Sequence, residues 1–93
     1  MAPFDPRAAL GAAEACERAA ARVGVTAEQV VGGARRARGQ WSGPAADDYG
    51  RQLAAFERRC AQSQHDLRRF AADLREASDL ARRAEVARRA GGQ

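Results

Sequence analysis

The sequence is short of the residues that build sheets and most chemical sites. Only five of its 93 residues are aromatic: Phe4, Trp41, Tyr49, Phe56 and Phe70. Val, Ile and Thr are also scarce, which argues against a β-fold. Two cysteines cannot form a disulfide framework, and one histidine leaves little to hold zinc. No apolar run exceeds four residues, so no membrane-spanning segment is expected. The opening Met1-Ala2-Pro3-Phe4-Asp5 has neither a basic stretch nor an apolar one, so no ordinary secretory signal is expected. Lysine is missing altogether.

Abundant instead are alanine, with 24 residues, and arginine, with 16. Together with 30% charged residues this composition favours long helices. A chain of this length is one domain or part of one, its own core is marginal, and self-association is a common remedy. The net charge of +4 and pI of about 10.4 raise the question of nucleic acid. The acids, however, are interspersed. Residues 1–43 hold six Arg against four acids and residues 44–93 ten against eight, so each half carries +2 and neither is a basic arm. Exposed aromatics to stack on bases are scarce as well, and nucleic acid is not expected as a partner.

Two heptad patterns organise the chain. Ala46, Tyr49, Leu53, Phe56, Cys60, Ser63, Leu67, Phe70, Leu74, Ala77, Ala81 and Ala84 follow one another at spacings of 3 and 4 without a slip. This is an a/d seam over five heptads, and it predicts a helix from about Pro44 to about Ala90, about 70 Å long. Ala9, Ala13, Cys16, Ala20, Val23, Ala27, Val30, Ala34, Ala37 and Trp41 form a matching seam of mostly small residues. It predicts a first helix from about Pro6 to Arg38. Within it, Gly24-Val25-Thr26 also reads as a stop and restart, with Thr26 as N-cap and Gln29 as capping-box partner. A kinked and a continuous helix both fit the sequence.

The connection Gly39-Gln40-Trp41-Ser42-Gly43-Pro44 is short. Gly39 suits a left-handed helical C-cap and Pro44 the first position of a helix, with Asp47 and Asp48 favoured by the dipole of the first turn. The fold class is therefore all-α, an antiparallel hairpin in which small side chains on one helix meet large ones on the other. Leu10, Val31, Leu80 and Val86 fall at the flanks, and burying them against a second hairpin would complete a four-helix bundle.

Two heptad-patterned helices around Trp41-Ser42-Gly43, in a chain of this length, resemble the WXG family, the small Esx-type substrates of type VII secretion systems. Asp5-Pro6-Arg7-Ala8-Ala9-Leu10 is similar to a frequent actinobacterial start, and Gly43-Pro44-Ala45-Ala46-Asp47-Asp48-Tyr49 to the segment after the family's turn. The resemblance implies a hairpin that pairs into a homo- or heterodimeric bundle and is exported folded without a cleaved signal. It also implies an encounter with the secretion ATPase through a Tyr-x-x-x-Asp/Glu signal near the end of helix 2. Here the chain departs from the family. Its only tyrosine is Tyr49, followed by Leu53 at the acid's position, and near the C-terminus Ala81 stands where the tyrosine belongs, four residues before Glu85. The expectation is a heterodimer: this chain supplies Trp41 and Gly43, and a paralogue supplies the tyrosine. Packing and dimerisation fall to Leu10, Val31, Tyr49, Leu53, Phe56, Leu67, Phe70, Leu74 and Leu80. The expected location is cytoplasmic before export and secreted after it.

Other readings of single residues are plainer. Trp41 fits the end of a bundle core, Gly43 a turn, and Arg35, Arg36 and Arg38 a solvated face. Cys16 and Cys60 lie about eleven residues, or about 16 Å, out of register in straight helices, too far for a disulfide, which only a kink at Gly24 would allow. Cys60 and His65 do not share a helix face, so no nucleophile–base pair is formed. No enzyme, cofactor or metal is expected. A helical adaptor or a chaperone for a larger toxin is the alternative, and an Arg-rich nucleic-acid-binding protein a lesser one.

Overall fold

The computed structural model describes residues 3–92; Met1, Ala2 and Gln93 lie outside the described residues. It contains two α-helices, α1 (Pro6–Arg38) and α2 (Pro44–Gly91), packed against each other as a hairpin, and no strand among the described residues.

Each terminus has a local cause. Asp5 is extended and its carboxylate accepts from the backbone N–H groups of Arg7 at 3.0 Å and Ala8 at 3.2 Å, satisfying two donors that the first turn leaves open. Pro6 follows at the one place where a missing N–H costs nothing. At the far end Gly39 donates to the Arg35 carbonyl with φ +46° and ψ −121°. Its φ is positive, as expected of this cap, but its ψ is not that of a left-handed helix. The Trp41 N–H donates to the Arg38 carbonyl at 2.8 Å. Gly43, at φ +107°, swings the chain into α2, where Pro44 and Asp47 occupy the first turn.

α1 passes through Gly24 without interruption. The glycine serves the packing of the helices. A Cβ there would stand 2.5 Å from the side-chain nitrogen of Gln64, which donates to the Ala20 carbonyl at 3.0 Å. A Cβ at Gly50 would make only ordinary contact with Arg38, whose guanidinium carbon would lie 3.4 Å away.

The helices meet along a stripe that differs from the heptad seam in the sequence. On α2 the inward residues are Ala46, Gly50, Leu53, Glu57, Cys60, Gln64, Leu67, Ala71, Leu74 and Ser78, all buried or half-buried. In the middle of α2 two seam positions have moved on by one: Ser63 and Phe70 are exposed, while Gln64 is half-buried and Ala71 buried. On α1 the stripe keeps to 3.6 residues per turn and drifts off the 3.5-residue seam. Val31 is therefore buried, at 6% exposure, and Val30 is exposed at 45%. The cause is closeness. The buried apolar residues among the described residues are Ala9, Ala13, Ala20, Val31, Ala46 and Ala71. Backbones brought together by alanine leave no room for a phenylalanine between them. The buried polar residue, Ser78, is satisfied by the Pro6 carbonyl at 3.1 Å.

The hairpin is a rod of 76 × 20 × 17 Å with a radius of gyration of 21.3 Å. A compact domain of this length would have about 12 Å. Its accessible surface is 7095 Å², against about 5,200 Å² for a compact protein of the same mass.

Candidate functional site

The rod has two broad faces with opposite chemistry. One is clasped by ion pairs between the helices: Arg38 with Asp47 at 3.8 Å, Arg35 with Glu57 at 2.8 Å, and Arg75 with Glu17 at 2.6 Å. Arg75 binds Glu17 through two nitrogens, Nε at 3.2 Å and a terminal nitrogen at 2.6 Å. That hydrogen bonding holds the Glu17 carboxyl below the ordinary carboxylate value and the Arg75 guanidinium above its own. Both groups are open to solvent, so the pair orients the helices more than it stabilises them. Gly24, Val31, Gly32, Glu57, Cys60 and Gln64 line a shallow groove of mixed character on this side.

The other face is apolar. Ala19, Val23, Thr26 and Phe56 line its central groove. Tyr49, Phe56, Ser63, Phe70 and Ala77 recur every seven residues along the α2 edge, keeping one orientation to the inter-helix stripe. At the turn the ring of Trp41 lies tilted on Tyr49, centroids 5.8 Å apart. Trp41 is 49% and Phe70 56% exposed. Large apolar side chains normally supply a core. In this chain Trp41, Phe70 and Leu80 lie outside one.

The residues singled out from the sequence therefore separate into groups. Leu53, Leu67 and Leu74 stand half-buried between the helices, as does Leu10 near the open end. Val31, expected at a flank and open to a partner, lies inside the hairpin. Tyr49 and Phe56 are half-buried on the apolar side, Phe56 beside Ala19, Val23 and Ala27 of α1, whereas Phe70, expected against α1, is exposed. Leu80 is exposed beyond them on α2, and Trp41 and Gly43 are exposed in the turn. Gln64, Ser78 and the Glu17–Arg75 pair escaped the sequence reading, because polar residues on a helix give no signal of reaching across to a neighbour. The one available signal was Gly24, an interior glycine that needed a reason.

Cys16 and Cys60 are free and half-buried, and His65 is exposed. Among the described residues no group of His, Cys, Asp and Glu could hold a metal ion, and no helix is long and apolar enough to cross a membrane. No family model, curated protein or solved structure matches the chain.

Proposed function

We propose that this chain is a WXG-type substrate of a type VII secretion system, exported folded as a pair with a second helical hairpin. The observation that carries the reading is the junction of motif and face. Trp41-Ser42-Gly43 forms the turn between two long helices, and the exposed apolar face begins at that turn, where Trp41 meets Tyr49. A face of this kind on a rod with almost no core favours binding to another protein over catalysis. The pair presents Trp41 and Gly43 from this chain. Lacking a C-terminal tyrosine signal of its own, the chain relies on a paralogue for Tyr-x-x-x-Asp/Glu, which the secretion ATPase reads.

The test is export from a host carrying the system, with and without the neighbouring paralogue. Export is expected only with the paralogue. Trp41→Ala should abolish it while the helical signal and paralogue binding persist. Export of the chain alone would remove the paralogue from the scheme. Export unaffected by Trp41→Ala and Gly43→Ala would leave a non-secreted adaptor as the better account.

A further inference from the structure

The ion-paired face carries a site of its own, and we propose that a groove beside the turn binds a carboxylate, held by the Arg38 guanidinium. The groove lies away from the apolar face, and the inference stands or falls independently of the secretion reading.

Arg35, Arg36 and Arg38 fit a solvated face by sequence, but the fold parts them. Arg36 stays exposed. Arg35 reaches Glu57 at 2.8 Å and is neutralised there. Arg38, the last residue of α1, is half-buried against α2. The point that a Gly50 Cβ would occupy lies 3.4 Å from its guanidinium carbon and 3.5 and 3.6 Å from its two terminal nitrogens. Three nearly equal distances mean that the guanidinium lies flat over Gly50, so its N–H groups point outward in its own plane. Those donors are poorly served. The acid beside Arg38 is Asp47, at 3.8 Å, beyond hydrogen-bond distance. Nε is closed off from solvent and has no acceptor among the described residues. A buried donor left so is rare and unfavourable. Arg75 shows the alternative in the same molecule, giving Nε and a terminal nitrogen to the two oxygens of Glu17 at 3.2 and 2.6 Å. Arg38 carries the same fork, and no carboxylate of the described residues fills it.

The space beside it suits one. A groove of about 390 Å³ is lined by Arg38, Gly39, Gly50, Leu53, Ala54 and Glu57. The two glycines bring no side chain into it, and Leu53 and Ala54 give it an apolar wall for a short aliphatic arm. Charge sets the class of ligand. Arg35 is already matched by Glu57, which leaves one guanidinium for one negative charge. Glu57 within the groove and Asp47 near Arg38 oppose a dianion such as phosphate. The ligand is therefore a monocarboxylate, the group that a glutamate side chain and a peptide C-terminus both present. Filling the fork draws the guanidinium off Gly50 and exchanges the distant Asp47 for two direct charge-assisted bonds.

The test is an NMR titration of the full, isotope-labelled chain with sodium acetate, against sodium chloride at equal ionic strength. The Arg38 Nε–H signal, identified by its loss in Arg38→Lys, should move downfield and saturate at about 10–100 mM acetate, the strength of one charge-assisted pair. Chloride should not move it. The backbone amides of Gly39 and Gly50 report on the groove in every variant. Arg38→Lys keeps the charge but loses the fork, and should weaken the acetate response about tenfold. Ala54→Leu fills the groove and should remove the response while the helical signal persists. N-acetylalanine and the α-amide of N-acetylglutamate then separate the two sources, a chain terminus and a side chain, by which binds more tightly. The proposal is overturned by a response that does not saturate, that chloride reproduces, that inorganic phosphate matches, or that is undiminished in Arg38→Lys or in a folded Ala54→Leu. Export plays no part in these readouts, so failure of the secretion reading would leave the site standing.

Discussion

At the scale of single residues the glycines separate by what surrounds them. A Cβ at Gly24 collides with the Gln64 amide, so Gly24→Ala gains helix propensity of about 1 kcal/mol and loses a hydrogen bond of about the same worth. The expected result is little net change in the wild type. In a Gln64→Ala background the same substitution should stabilise by about 1 kcal/mol, and chemical denaturation of the four proteins in this cycle measures the coupling. Gly11 has nothing within 4 Å of its missing Cβ, so Gly11→Ala should simply stabilise, by about 1 kcal/mol. Gly43 is equally uncrowded but sits at φ +107°, and Gly43→Ala should cost about 1–3 kcal/mol through backbone strain. The Glu17–Arg75 pair adds a dependence on pH. The Glu17 pKa is lowered in the fold, so its contribution is present above the unfolded carboxylate pKa and is lost as the pH falls through the folded value. Thermal melts from pH 7 to pH 3 should show a smaller acid-induced loss in Glu17→Gln than in the wild type.

At the scale of elements the helices themselves were legible. Pro6 and Pro44 mark the starts, Gly39 the stop, and heptads of alanine and leucine the interiors. Which side of each helix faces its neighbour was not. An alternating 3–4 pattern fixes a band of residues about two positions wide, and both Phe70 and Ala71 lie within that band. Choosing between them requires the distance between backbones, which the small residues of the opposite helix set. Gln64, Ser78 and Gly50 decide it, since each fills its place in the contact by a bond or a gap across the helices. The candidate site was legible to the same extent. Tyr49, Phe56 and Phe70 could be recognised as a set, but finding Phe70 exposed and the other two half-buried needed the structure. Phe70→Ser should therefore leave the helical signal of a dilute monomer almost unchanged while weakening association in sedimentation. A residue packed between the helices, such as Leu67 changed to serine, should lower both.

At the scale of the whole molecule little side-chain volume is buried. One valine and five alanines form the buried apolar set among the described residues, and a buried valine contributes only about 1.5–3 kcal/mol. Exposed intrahelical pairs such as Arg83 with Asp79 at 2.8 Å support the rod by about 0.2–0.5 kcal/mol each. If a second hairpin completes the fold, as proposed, mass action requires the melting temperature to rise with protein concentration. Melts over a hundredfold range of concentration check this; an unchanged midpoint would place the stability in the single hairpin.

The 76 Å length against a 20 Å width also governs how the molecule moves through a solvent. Friction on a rod exceeds that on a sphere of equal mass, so a lone hairpin should leave a sizing column early, where a heavier globular standard elutes. A second rod laid alongside adds thickness but no length, so pairing should double the mass while shifting the elution volume comparatively little.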